Sequence, residues 1–295
     1  MANYRKHWLI NALGERYDFT KDNSKIFLND PQGFGFKRQY TSQKVGNSEL
    51  ITSQQFQLTD IQGDLLFFNN TLGNIYEDYQ KFIQFAKYKP LEFHYQTPNE
   101  LTSYFCDVLF VQADKGEVSA EDGVLHVPVV FHKLTEWLDA NDYTITLYNE
   151  PIGEGKYYEL VRPYHYAGTN LSGTPINNIG TDDVGFILTI DGEVQNPQFT
   201  LTQYGDSYGV CKINGTYDFI QIDSVERTEK IYAERNGSVI TNPEQYQDFT
   251  IRNGNAYLTW CKFRVGETIF SFTCGNIDTF DGTIEISFKN SYVTV

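Results

Sequence analysis

Along most of this chain apolar and polar residues alternate with the two-residue period of half-buried β-strands, and at one place the period becomes that of a helix. Between Asn74 and Tyr88, the residues Ile75, Tyr79, Phe82 and Ala86 recur at spacings that share one helical face, and Phe85 widens the stripe. The spacing predicts a helix of about four turns, capped by Asn74, with Glu77 as the other half of a capping box and Pro90 barring continuation. A lone amphipathic helix cannot bury its own stripe, so it is expected to lie on a sheet made by the flanking strands.

Before the helix, the runs WLIN, RYDF, KIFL, FGFKRQ, ELITSQQFQL and DLLFF read as short strands, with residues 29–36 (NDPQGFGF) as a compact loop. After it, Leu91, Phe93 and Tyr95 alternate with Glu92 and His94, the pattern of a half-buried strand. Residues 103–114 and 124–134 are almost continuously apolar and read as central strands of a hairpin closed at Asp122-Gly123. Pro128 cannot donate to a ladder and implies an edge or a bulge. The pattern breaks at 137–142, where a domain boundary is expected, giving domains 1–140 and 141–295. The second half begins with YTITLY at 143–148 and continues as hairpins around Asp191-Gly192, Asn214-Gly215 and Asn236-Gly237. Such dipeptides supply the positive φ angles of two-residue turns. Roughly ten strands at this spacing predict a β-sandwich or jelly roll. The expected fold class is therefore all-β with one helix, in two β-sandwich domains.

Composition narrows the function. The 295 residues suffice for about two domains with real cores, and 21 Tyr and 22 Phe favour strands and adhesive surfaces. A net charge of −15 excludes a surface that grips nucleic acid by its phosphates, so no specific nucleic-acid partner is expected. Cys106, Cys211, Cys261 and Cys274 form no CxxC pair, which disfavours zinc and predicts free buried thiols. Neither a signal-peptide run nor an apolar stretch of membrane-spanning length is present, so synthesis and folding in a cytosol and no membrane partner are expected. His126 and His132 share a strand face but stand about 20 Å apart, too far for one metal. The motifs of nucleotide, dinucleotide, zinc-protease and serine-hydrolase chemistry are absent, so no catalysis, cofactor or metal is expected.

One stretch stands apart: residues 162–175, RPYHYAGTNLSGTP, an aromatic cluster in a long Gly-containing segment. It reads either as a packed Ω-loop or as a binding surface on which Tyr164, His165 and Tyr166 stack a sugar or dock a protein partner.

Several of these features together resemble the distal tail proteins of siphophages: the NDPxGFGF loop, the Y-x-x-F-x-x-F helix, the LEFHY strand and the segment VVFHKLTEW at 129–137. The ITNPEQYQDFTIRNG segment at 240–254 and the terminal TIEISF strand resemble that family's galectin-like domain. The resemblance implies a structural virion protein at a phage tail tip, a homohexamer whose first domains form a ring (the belt). That ring joins the tail tube protein to the central tail-tip (tail-associated lysin-like) protein. The galectin-like second domains carry receptor-binding or baseplate proteins for attachment to the host cell. The alternative is a lectin-like protein that binds host cell-wall polysaccharide, marked by a concave sheet face with Trp or Tyr beside Asp, Asn or Arg.

Overall fold

A computed structural model describes residues 5–20, 25–68, 72–98, 102–119, 123–148, 171–225, 228–240, 249–251 and 262–295. In chain order the elements begin with β1 (Lys6–Ile10), β2 (Arg16–Asp18), β3 (Ile26–Gln32), β4 (Lys37–Val45), β5 (Ser48–Gln57), β6 (Ile61–Phe67), α1 (Leu72–Ala86), β7 (Leu91–Gln96), β8 (Tyr104–Ala113), β9 (Leu125–Lys133) and β10 (Trp137–Asp139). They continue with β11 (Tyr143–Tyr148), β12 (Ser172–Asn178), β13 (Val184–Gln195), β14 (Gln198–Gln203), β15 (Asp206–Ile213) and β16 (Thr216–Asp223). The remainder are β17 (Lys230–Arg235), β18 (Ser238–Ile240), β19 (Phe249–Ile251), β20 (Lys262–Phe263), β21 (Gly266–Thr273), β22 (Thr283–Phe288) and β23 (Ser291–Tyr292). The chain forms two units. One comprises residues 1–141 and 291–295, the other 142–290. The division therefore differs from a split into 1–140 and 141–295: after the second unit the chain returns, and β23 pairs with β10 of the first.

In the first unit the main sheet runs β2-β1-β7-β8-β9-β6-β3, with β10 and β23 attached beside β8. Its two ends approach each other, because the Leu28 N–H on β3 donates to the Phe19 carbonyl just beyond β2, 3.1 Å away. Inside lies a core of Leu9, Phe19, Phe67, Phe93, Phe131 and Trp137, on which α1 packs Ile75, Tyr79, Phe82, Phe85 and Ala86. The stripe faces the sheet as its spacing predicts, but the helix begins two residues earlier than expected. Asn74 lies inside the first turn, so it is not the cap and forms no capping box with Glu77. Burial of the stripe outweighs a local capping preference in setting where a helix starts. Past Ala86, Lys87 and Tyr88 donate to the carbonyls of Gln84 and Phe85 in a tighter last turn, which accounts for the longer span read from the sequence.

Residues 29–32, expected in a loop, belong to β3, and the register shifts between Asn29 and Gln32. Asp30 there holds a positive φ of 45°. Pro128 sits in β9, an interior strand between β8 and β6. The ladder accommodates it beside an irregularity of β8 between Phe110 and Gln112.

The second unit is a sandwich of two sheets, β11-β22-β13-β16-β17-β18 with β20 beside β13, and β12-β21-β14-β15-β19. Leu188, Ile220, Ile284 and Ile286 of the first sheet meet Phe199, Leu201, Phe270 and Phe272 of the second in one buried core. Two of the three expected hairpins are corrected. Asp191-Gly192 is an irregularity within the long strand β13, and Asn214-Gly215 carries the chain from β15 in one sheet to β16 in the other. Gly215, at φ 117°, and the Asn196 side chain, which accepts from the Gly215 N–H at 2.7 Å, form that crossing. A residue with positive φ serves a bulge or a crossover as well as a hairpin, so the dipeptide alone does not select among them. Asn236-Gly237 does close the β17–β18 hairpin, with φ of 50° and 68°. An unexpected hairpin joins β14 to β15 through Tyr204 and Gly205.

Candidate assembly interface

Strands β4 and β5 pair only with each other, as a two-stranded sheet separate from the main sheet of the first unit. Val45 opposes Ser48, which leaves Gly46-Asn47 as a two-residue turn, and Gly46 supplies a positive φ of 63° at its first position. The polar, β-branched and aromatic residues of the two strands favour the extended backbone. None of their described residues is buried, and all but Ser42 are exposed, including Tyr40, Val45, Leu50 and Ile51, each more than half exposed. At nine and ten residues, the strands make an arm about 30 Å long. Among the described residues no other strand joins the sheet of these two.

The root of the arm is held tightly. Gly33 has φ 94°, and a β-carbon there would stand 2.0 Å from the Asp60 carbonyl oxygen, so no other residue fits. Phe34 stacks on Trp137 with centroids 5.6 Å apart and planes 11° from parallel, and it also meets His7 and Tyr95. The Thr294 hydroxyl donates to the Phe34 carbonyl at 3.0 Å, so the returning segment after β23 pins the same loop. Phe34 is thus packed within the first unit while Phe36, two residues on, is exposed.

The charge of the arm differs in sign from that of the chain. Residues 37–57 carry Lys37, Arg38 and Lys44 against Glu49 alone, a net of +2 in a chain of net −15.

Beside the arm's root, Asp30, Gln32, Gln62, Asp64, Pro128 and Val130 line an open groove of about 350 Å³. His132 Nδ1 lies 2.7 Å from Asp60 and His126 Nδ1 3.7 Å from Asp64, so the two exposed histidines serve two carboxylates and do not converge.

The interiors of the two units, each taken by itself, offer little reactive chemistry among the described residues. Burial pushes the Cys106 thiol well up, and the Cys211 thiol to about 12. Cys106, Cys211 and Cys274 are free and buried, while Cys261 lies outside the described residues. Burial, with Arg5 adding to it and Asp18 opposing it, lowers His7 to about 4, and burial lowers Lys133, whose ammonium sits 5.5 Å from the Trp137 ring. Among the described residues no group of three His, Cys, Asp or Glu side chains is placed to hold a metal, and no helix is long and apolar enough to cross a membrane. Tyr164, His165 and Tyr166 lie outside the described residues, as do Tyr257 and Trp260.

The arm rising from an NDPQGFGF loop, one helix on a curled sheet, and the LEFHY strand at its centre occur within residues 6–134. That segment matches the family described as "Distal tail protein, N-terminal domain". Residues 6–134 belong to the distal tail protein N-terminal domain family. The arm, its root and the groove all lie within or at the edge of the distal tail protein domain. No curated protein sequence matches the chain.

Solved structures share the fold over the full length. A chain of the phage P2 baseplate in its activated conformation with calcium is 15% identical, with 100% of both chains covered and a TM-score of 0.59. The SPP1 Dit protein, described as a paradigm of the hub adsorption apparatus in phages infecting Gram-positive hosts, is 11% identical, covered over 96% of this chain and 98% of that one, with a TM-score of 0.62. At these identities the likeness establishes the fold of both units, and nothing about partners follows from it.

The arm was only half legible from sequence. Its two strands were expected, but not that they stand apart from the sheet. The available signal was the lack of an apolar face in KRQYTSQKV, together with basic residues gathered in an acidic chain.

Proposed function

We propose that this protein is a structural hub of a phage tail tip, a homohexameric ring built by its first unit. In this reading the ring joins the tail tube protein to the central tail-tip protein, and the second unit, a galectin-like sandwich, carries receptor-binding or baseplate components. The observation that carries the reading is the free-standing arm of β4 and β5. A two-stranded hairpin is marginal by itself in water, and an exposed edge with aromatic and aliphatic side chains is a template for association. A heterologous contact of this kind repeats around an axis and closes into a ring when the rotation per copy divides the circle. The net charge of −15 suits a channel through which DNA passes, since like charge keeps the genome from adhering. Mass photometry of the purified chain tests the ring directly: the expected species has six times the mass of 34.0 kDa, and a monomer at all concentrations sinks the proposal.

Tyr164, His165 and Tyr166 remain the proposed docking residues for an outer partner. Replacing all three by Ala is expected to weaken binding of a receptor-binding protein more than about 100-fold if two are buried anchors, with the ring and the melting temperature unchanged. Unchanged affinity in the folded variant ends that assignment.

A second reading, polysaccharide binding, draws on the outward face of the larger sheet. Phe219 and Tyr232 meet edge to face with centroids 5.7 Å apart, and the ladder places Asp191 and Glu234 on either side of Phe219. Titration of the chain with host cell-wall polysaccharide, wild type against Phe219→Ala, tests it: equal heats, or none, reject the face.

A further inference from the structure

Lys133 follows Phe131 by two residues on β9, so strand alternation aims its side chain with Phe131 into the core of the first unit, and it is 1% exposed. A lysine is almost never buried so fully unless it is paired. Its ammonium lies 5.5 Å from the Trp137 ring and makes no hydrogen bond or ion pair among the described residues. We propose that Lys133 and the buried, free Cys106 are the two halves of an oxidative cross-link, in which one oxygen atom bridges Lys133 Nζ and Cys106 Sγ. The bridge belongs to the interior of the first unit alone and holds or fails independently of the ring.

Register brings the two side chains together. Lys133 opposes Val108, and Cys106 is the neighbour of Val108 on the same face of β8, so the pair is diagonal across the ladder. Diagonal neighbours stand about 7 to 8 Å apart, within reach of a long side chain. β7 occupies one edge of β8 over 104–108, so β10 shares the other edge with β9. There Leu138 opposes Phe105 and Asp139 opposes Tyr104, which carries Trp137 to the level of Cys106. The Lys133 side chain therefore starts one step beyond Cys106 and ends near the residue level with it, and its course runs past the thiol. Leu134 donates to the Asp107 carbonyl at 2.8 Å, and the Thr135 hydroxyl accepts from the Asp107 N–H at 3.0 Å, so the backbone is fixed at this point.

Singly, neither group is reactive. Burial, with Asp107 and Glu136 adding to it and Lys133 opposing it, keeps the Cys106 thiol protonated. Burial also lowers Lys133, against Cys106 and Glu136, which favours an amine with a free lone pair relative to an exposed lysine. With dioxygen as oxidant the pair has a balanced reaction. One N–H bond and the S–H bond break, N–O and O–S bonds form, and the two hydrogens leave with the second oxygen atom as water. Nitrogen and sulfur each give up two electrons, and dioxygen takes up all four. The uncharged product replaces an unpaired buried ammonium, the costly state for a charge in a core. It also places an acceptor in a neighbourhood where the buried Trp137 indole N–H has none among the described residues. The bridge ties the end of β9 to β8 beside Trp137, the ring on which Phe34 stacks at the root of the arm.

Mass spectrometry of the intact, full-length chain tests this. One sample is prepared without dioxygen and with a dithiol, another is held in air-saturated buffer, and both are unfolded without reductant. The aerated chain is expected to gain the mass of one oxygen less two hydrogens and to return to the starting mass in excess dithiol. It should also show one alkylatable thiol fewer than the four of the reduced chain. Proteolysis without reductant is expected to yield the peptide of Cys106 joined to that of Lys133. Lys133→Leu and Cys106→Ala chains are expected to keep their mass in air. Because the joined peptide is read from the wild-type chain, the test stays decisive should either variant fold poorly. Four alkylatable thiols in the aerated chain, a joined peptide that lacks the oxygen, or a gain of oxygen that Lys133→Leu shows equally overturns the bridge. None of these touches the ring, which the mass of the assembled wild type decides.

Discussion

Replacing Phe82 by Ala removes the side chain at the centre of the contact between α1 and the sheet. Phe82 is fully buried. It meets Tyr17 edge-on at 5.4 Å, Phe110 edge-on at 5.6 Å and Phe67 at 6.1 Å. Losing the transfer free energy of a buried phenyl group costs about 1.5 to 3 kcal/mol. The two edge-to-face pairs each add about 0.5 to 1.5 kcal/mol. Partial collapse of Tyr17, whose strand lies at one end of the sheet, returns some of this, so the net cost is expected at about 3 to 5 kcal/mol. Urea unfolding is the assay, followed by fluorescence in a Trp260→Phe background so that the signal comes from Trp8 and Trp137, both in the first unit. The midpoint should fall while the slope stays constant. A loss below about 1 kcal/mol would mean that the stripe contributes little and that α1 is held by something other than its apolar face.

Other outcomes follow from single residues. Gly33→Ala should destabilise the first unit by more than about 2 kcal/mol, since it adds left-handed strain to a clash with Asp60; a melt equal to wild type would show that the root takes another path. His7 is neutral when buried, lowered from 6.5 to about 4, so the unfolded chain binds its proton first as pH falls. The first unit should therefore lose about 2 to 3 kcal/mol between pH 6.5 and pH 4, a loss that His7→Phe should largely abolish in unfolding measured at both pH values. Thr294→Val should cost about 1 kcal/mol through the lost bond to Phe34, and a change of zero in the same assay would show that the returning segment does not brace the arm.

What was readable in the sequence depended on whether the signal was local. The Ile75, Tyr79, Phe82 and Ala86 stripe could be read because a buried helical face repeats within a few turns. Its first residue could not, because the helix begins at Leu72, ahead of the Asn74 cap signal that the sequence offers. The strands of both units were largely legible, yet their partners were not. Asn214-Gly215 and Asn236-Gly237 have the same turn chemistry, but the first changes sheets and the second closes a hairpin, and that choice rests on residues far away in the chain. The Tyr204-Gly205 turn escaped notice because tyrosine rarely holds φ of 53°. The arm's basic residues were in plain view, but the groove beside its root is assembled from β3, β6 and β9, three strands that no short motif links.

The pairing of β10 with β23 also bears on the order of events during synthesis. Ser291 emerges roughly 150 residues after Asp139, a delay of about 8 to 30 s at ordinary elongation rates. Until then the ribosome holds a first unit whose sheet has an open place beside Trp137 and whose arm root lacks its brace from Thr294. A chain broken off anywhere in the second unit never acquires either. Such a fragment carries the arm and the groove but a loosened foundation for both, because the strand beside Trp137 and the bond from Thr294 to Phe34 come from the last residues of the sequence.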